Sequence, residues 1–580
     1  MWNDQLVANL SNSQIVSDSK TPSGTVHVGS LRGVLIHDAI FRALKAQNTP
    51  ARYIFGVDDF DPLDGLPHDC EPWLKDYMGF PLCNVPAPEG SSAEDMAKHY
   101  IADFLNIFSE IAVEAEIYYM RDIYRSGKFN QAIDTILKNS AKVRQIYQRV
   151  SKSIRPDNWH PFQVICENCG RIGTTEVTAY DGQKVKYQCK PNLVSWAQGC
   201  GHKGEVSPFD GNGKLPWKLE WVAKWFTFGV TIEGAGKDHC TKGGSRDVAN
   251  ACMREIFKKS PPTNVPYEFF LVEGAKMSSS KGVGTSARDI TNMLPPEILR
   301  FLMIRTAPKK FVNFSTDFAY MVKLYNDFDR LYQSKSTDEQ QKMLAMLELK
   351  SGESAYHPIG FQVLVALLQL PHLDVEAEIN KRSTGNHQAL KKRISSAKYW
   401  LANFIADDDR IELQKTLPAS VANLSQTQRA FLNILGDMIT DEQLTDDEYQ
   451  RIIFDASRLT PINQAQAFQA IYRALLDKDQ GPKGGALFSF LKPDFLQVRF
   501  RNIEYQQDLF LEQSAIPVAE FNKWYEQNKG MISNLSFSKK SSNGLIFLEL
   551  IATINNDKKF LKRIQFENEI IADDFCEELN

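Results

Sequence analysis

Thr21-Pro-Ser-Gly-Thr-Val-His-Val-Gly-Ser30 runs directly into Leu31-Arg-Gly-Val-Leu-Ile-His-Asp-Ala-Ile-Phe-Arg-Ala-Leu44, and the join between them decides the fold. Apolar residues of the second stretch recur at helical spacing, so the first is a loop that ends at a helix N-terminus. Gly24 and Gly29 let backbone approach a ligand, and the free N–H groups of a first helical turn favour anions. Far along the chain, Lys276-Met-Ser-Ser-Ser-Lys-Gly282 follows the apolar, strand-like run Tyr267-Glu-Phe-Phe-Leu-Val272. It offers two ammonium groups and three hydroxyls, which suit a polyphosphate whose charge grows during reaction. The two stretches read as halves of one polyphosphate site.

Between them the chain opens as a doubly wound α/β sheet. Ala51-Arg-Tyr-Ile-Phe-Gly-Val57 is β-branched and aromatic, and it ends in Asp58-Asp-Phe-Asp-Pro62. Ligands of such sheets sit beyond the carboxyl ends of the strands, so Asp58, Asp59 and Asp61 hang over the site; the competing reading is a plain turn before Pro62. Residues 91–158 carry a helical pattern. Cys166-Glu-Asn-Cys169-Gly170, a β-like stretch around Asp181-Gly182, Tyr187-Gln-Cys189 and Gly199-Cys200-Gly201-His202 then spell a zinc ribbon. Four thiolates, Cys166, Cys169, Cys189 and Cys200, make a closed structural site, with His202 competing for the fourth place. In Pro216-Trp-Lys-Leu-Glu-Trp-Val-Ala-Lys-Trp225 the first two tryptophans either wall a substrate pocket, packing on methylenes and facing an ammonium, or join the core. Trp225 is assigned to the core.

His27-Val-Gly-Ser30 and Lys276-Met-Ser-Ser-Ser280 together resemble the paired signature of class I aminoacyl-tRNA synthetases. With the ribbon, the tryptophan run and Gly236-Lys-Asp-His239 in this order, the chain is similar to class I lysyl-tRNA synthetases. The likeness covers about residues 20–310 in motif detail and reaches about residue 500 in layout. It implies activation of L-lysine by ATP with Mg2+ to lysyl-adenylate, then transfer to the 2′-OH of the terminal adenosine of tRNA-Lys. The resemblance gives catalytic roles to His27, Ser30, Lys276, Ser279 and Lys281. ATP would meet Gly24, Gly29, Asp238, Met277, Ser278, Ser279 and Ser280. Lysine would meet Asp58, Asp59, Asp61, Trp217, Trp221 and His239. Two departures stand out. Ser30 replaces the motif's last histidine and cannot carry its charge, and Ser279 replaces a lysine for which Lys281 is a substitute. Competing readings are glutamyl or arginyl specificity, or a non-catalytic tRNA-binding relative.

The 580 residues allow about three or four domains. The expected layout is a Rossmann-type catalytic domain (1–90 and 205–295), an insertion bearing the ribbon (91–204), an all-α anticodon-binding domain (296–504) and a small α+β C-terminal extension (505–580). The helical domain rests on amphipathic segments at 317–332, 358–370, 387–405, 427–439, 447–459 and 463–476; the extension rests on two strands around an Asn-Asn-Asp turn within 543–566. A formal charge of −4 gives no global basic signal, so contacts with nucleic acid must come from local patches. The longest apolar runs, such as Val363-Leu-Val-Ala-Leu-Leu368, are too short to span a bilayer. Nine cysteines with four given to metal speak against a disulfide framework. A cytoplasmic monomer without secretory signal or membrane association is expected.

Overall fold

The computed structural model describes residues 1–67, 72–276, 286–334, 337–349, 356–370, 373–382, 385–460, 462–506, 510, 515–554 and 558–579. The chain forms two compact units, Met1–Pro358 with Gly385–Trp400, and Ile359–Thr384 with Leu401–Asn580.

The first unit is built on five parallel strands, β1 (Gln14–Lys20), β2 (Ala51–Val57), β3 (Glu116–Tyr119), β4 (Ile232–Gly236) and β5 (Thr263–Tyr267). Their order is β5-β4-β1-β2-β3, and Val16 of β1 lies opposite Tyr53 on one side and Ile232 on the other. The chain winds outward from β1 to β3 and then returns to the other side of β1. The reversal leaves a crevice between the carboxyl ends of β1 and β4, the place where doubly wound sheets hold ligands. Helix α1 (Gly29–Ala46) buries thirteen of its residues, so it is a core helix and not a one-faced surface helix. His37 ties it to the crevice: its Nδ1 faces the Gly33 carbonyl at 2.8 Å, and its Nε2 accepts the Gly234 N–H at 2.7 Å. Accepting that N–H requires a neutral ring with its proton on Nδ1.

Two elements differ from the sequence reading. Glu116–Tyr119, inside the stretch expected to be helical, is the edge strand β3, paired with β2 from Ile54↔Glu116 to Val57↔Tyr119. The apolar run at 267–272 is divided between two sheets. β5 ends at Tyr267, whereas Phe270–Val272 pairs with Ala275–Lys276 and Val312–Phe314 in a separate small sheet. The cysteine-bearing segment forms a three-stranded antiparallel sheet of Thr175–Tyr180, Val185–Cys189 and Lys203–Val206.

The second unit begins with helices, among them Phe361–Leu368, Gln426–Met438, Asp446–Leu459 and Gln464–Leu476. Ser425 and Thr445 close the starts of two of these with capping boxes, against Gln428 and Glu448. The unit ends in a four-stranded sheet, in the order Ala515–Ile516, Lys558–Phe566, Leu545–Ile554 and Ile532–Ser542, with its own apolar cluster around Phe521, Leu548 and Phe575. Among the described residues no helix is long and apolar enough to cross a membrane.

Candidate active site

Two adjoining cavities occupy the crevice. The larger, about 730 Å³, lies over the ends of β1, β2 and β4; the smaller, about 300 Å³, lies against the start of α1. Asp18, Ser19, Lys20, Gly236, His239 and Tyr267 line both, so the two are chambers of one cleft.

The smaller chamber holds His27, Gly29, Ser30 and Asp238. No side chain caps the first turn of α1, whose N-cap is Val28, and its N–H groups are suited to an anion. Gly29 is needed for the imidazole: a Cβ there would lie 2.9 Å from His27 Nδ1. Gly24 lines neither chamber. His27 and Ser286 form an isolated antiparallel bridge, and Ala287 N–H donates to the Val26 carbonyl at 2.9 Å, so the chain re-enters the described structure beside His27. Met277, Ser278, Ser279, Ser280 and Lys281 lie outside the described residues, as does the side chain of Lys276.

In the larger chamber the aspartates meet protein cations. Asp58 accepts from Lys224 Nζ and, at 3.0 Å, from Ser19 Oγ. Asp61 accepts from Lys214 Nζ and, at 2.9 Å, from Thr21 Oγ1. Burial alone would push the Asp61 carboxyl up; the Lys214 ammonium outweighs it and holds the group below its usual value. Lys214 also reaches Glu220 at 3.1 Å, and burial raises the Glu220 carboxyl. Asp59 departs from the expectation. It is fully buried, accepts from the Arg121 backbone N–H at 2.9 Å and from its guanidinium, which also grips Asp95, and it lines neither chamber. It lies in the turn just past β2, beside the equally buried Phe60, where it clamps the segment after β3.

The tryptophans stand on one face of helix α2 (Trp217–Phe228) at four-residue spacing. Trp217 stacks on Trp221 at 6.5 Å between ring centroids, and His239 meets their edges at 5.7 and 6.0 Å. Trp225 is fully buried. Glu233 of β4 accepts from Trp221 Nε1 at 2.6 Å and from Trp225 Nε1, which fixes the wall. Sequence reading missed Glu233, Lys214, Lys224, Asp18 and Lys20; the available signal for Glu233 was a carboxylate following Ile232 inside a short strand of small residues.

The Lys214 network gives a stability test. Lys214→Met leaves the buried Glu220 and the half-buried Asp61 without their cation, at a cost of about 3–5 kcal/mol. Urea unfolding near neutral pH should show that loss. The deficit should narrow as pH falls and the orphaned carboxylates take up protons.

The four cysteines converge as well. Their sulfurs all lie within 4.8 Å of one another, with Cys166 to Cys200 at 3.6 Å and Cys169 to Cys189 at 3.8 Å. A tetrahedral zinc–sulfur bond of about 2.3 Å puts sulfurs about 3.8 Å apart, so the cluster fits such an ion. Gly170 and Gly201 follow their cysteines with φ of 74° and 82°, the left-handed turn a knuckle requires. His202 stays outside the cluster and packs on Tyr187.

A cleft at the switch point of a parallel sheet, entered by an uncapped helix terminus, defines the chain as a doubly wound nucleotide-binding protein. Comparison with known proteins narrows that class. The model of the family described as tRNA synthetases class I (K) matches residues 1–353. The lysine–tRNA ligase 1 of Methanosarcina acetivorans is 32% identical, with 86% of this chain and 98% of that protein aligned. The lysine–tRNA ligase of Archaeoglobus fulgidus is 31% identical, over 86% of this chain and 99% of its own length. That of Thermoplasma acidophilum is 31% identical, over 87% and 98%. The chain belongs to the class I (K) family of tRNA synthetases.

Proposed function

We propose that this chain activates L-lysine with ATP and transfers the lysyl group to the terminal adenosine of tRNA-Lys. The observation that carries the reading is the meeting of the two chambers. One is floored by a helix terminus suited to phosphate, the other is walled by tryptophan and lined with carboxylates, and between them an amino-acid carboxylate reaches an α-phosphate. Relatives named lysine–tRNA ligase that span nearly the whole chain support the choice of amino acid.

His27, Gly29 and Ser30 hold the phosphates from the α1 side, and Asp238 accepts the ribose hydroxyls. Lys276, Ser278, Ser279, Ser280 and Lys281 close from the other side as charge moves onto pyrophosphate, with Gly24 and Met277 shaping the two loops. Mg2+ travels with ATP and offsets its phosphate charge. The methylenes of lysine lie on Trp217 and Trp221 with His239 at their edge, and its ammonium groups take the remaining lone pairs of Asp58 and Asp61. Attack by the carboxylate needs no protein nucleophile; positioning and charge stabilisation supply the rate.

The reading extends to the rest of the chain. Residues 1–90 and 205–295 form the activating domain, to whose sheet the insertion 91–204 adds β3; the helical residues 296–504, which the two units share, serve anticodon binding, and 505–580 is an appended module. Cys166, Cys169, Cys189 and Cys200 hold a structural zinc ion, and the enzyme works as a monomer in the cytoplasm, where thiols stay reduced.

The test is ATP–pyrophosphate exchange with each of the twenty amino acids, with and without tRNA. Exchange with lysine is expected. Exchange with glutamate or arginine instead would reassign the specificity, and tRNA binding with no exchange at all would make the chain a non-catalytic relative.

A further inference from the structure

Ser30 brings a hydroxyl where the first motif otherwise ends in a histidine, so the α1 side of the cleft lacks a charge there. A cation from another element faces the same space. Lys20, the last residue of β1, lines the smaller chamber with His27, Gly29 and Ser30, and lines the larger one with Trp217 and Trp221. Lys214 and Lys224 of the same cleft each sit on an aspartate. Among the described residues the Lys20 ammonium has no hydrogen bond or ion pair, although its backbone is held firmly, with Asp58 N–H donating to the Lys20 carbonyl at 2.9 Å. Burial lowers the pKa of this ammonium, and Asp18 and Asp58 oppose the shift. A half-desolvated cation without a partner is costly to maintain, and its field on a nearby anion is stronger than it would be in water.

The junction of the chambers is where the reacting atoms meet. A carboxylate oxygen of lysine bonds to the α-phosphorus, the bond from that phosphorus to the bridging oxygen of the β-phosphate breaks, and pyrophosphate leaves with the electron pair. No proton moves. Negative charge gathers on the oxygens around the α-phosphorus, within the space that Lys20 lines.

We propose that Lys20 contacts the α-phosphate during adenylate formation and supplies the positive charge that Ser30 does not. The assignment rests on the lysine-activating function given above. Lys20→Met, Lys20→Arg and the double variant Lys20→Met/Ser30→His test it by lysine-dependent ATP–pyrophosphate exchange, with thermal melting as the folding control. Lys20→Met should lose about 100-fold in kcat with lysine KM within about threefold. Lys20→Arg keeps the charge and should stay within about tenfold of the unmodified chain, and Ser30→His should restore about tenfold in the Lys20→Met background. Near-normal kcat in Lys20→Met, a loss confined to lysine KM, or a loss in Lys20→Arg equal to that in Lys20→Met would overturn the assignment. The unmodified chain separates the two layers: exchange with lysine sustains the function whatever the variants do, and its absence removes function and assignment together.

Discussion

Replacing His27 by alanine is expected to slow lysine-dependent ATP–pyrophosphate exchange by about 100- to 1,000-fold, the cost of removing one donor aimed at developing charge. The imidazole sits so close to the first turn of α1 that Gly29 has no room for a Cβ, and ring and helix terminus therefore address one spot in the smaller chamber. The site proposed for lysine is the other chamber, against Trp217 and Trp221, so its KM should move by no more than about threefold. The bridge between His27 and Ser286 is made by backbone and survives the substitution, which keeps folding out of the result. Equal losses in kcat and in lysine affinity would count against the role given to His27.

The second large effect belongs to the cysteine cluster. The purified chain should contain one zinc ion per molecule, and Cys169→Ser/Cys200→Ser should contain none. Structural zinc is worth on the order of 10 kcal/mol of folding energy in small zinc domains, so the double variant should lose amide protection through residues 163–206 in hydrogen exchange. Protection in the parallel sheet should persist, because Val16, Tyr53 and Ile232 are buried in their own right. A metal-free chain with full protection across the ribbon would refute the structural role.

Much of this was legible in sequence because the periodicity is unbroken where the elements are long. The segments expected at 447–459 and 463–476 are the helices Asp446–Leu459 and Gln464–Leu476, and α1 follows the apolar repeat after Ser30. Short or mixed elements were hidden. β3 has four residues, too few for Ile117-Tyr-Tyr119 to outweigh the helical pattern on both sides. In the terminal module the expected hairpin is present as Leu545–Ile554 and Lys558–Phe566, but the neighbouring Ile532–Ser542 was not anticipated, since Lys539-Lys-Ser-Ser542 lacks a strand's composition. For the cleft, Asp58 and Asp61 could be placed because they follow a strand. Their cations could not, because Lys224 and Lys214 stand 166 and 153 residues further along, a separation that only tertiary folding closes. The lysine- and serine-rich loop, legible as a motif, lies outside the described residues.

The pairs Asp58–Lys224 and Asp61–Lys214 also determine which mistakes this enzyme has to guard against. An amino acid entering the cleft does not quench a bare acid; it extends a lattice of alternating signs, and a side-chain carboxylate would place two like signs side by side. On the site proposed above, a side-chain carboxylate beside Asp58 and Asp61 is disfavoured on polarity before size is consulted. Ornithine brings the same polarity on a chain one methylene shorter, and a missing methylene is worth only about 1–3 kcal/mol. On the reading proposed above, this shorter diamino acid is the near-cognate hazard, and fidelity depends on the fit of the lysine methylenes against Trp217 and Trp221.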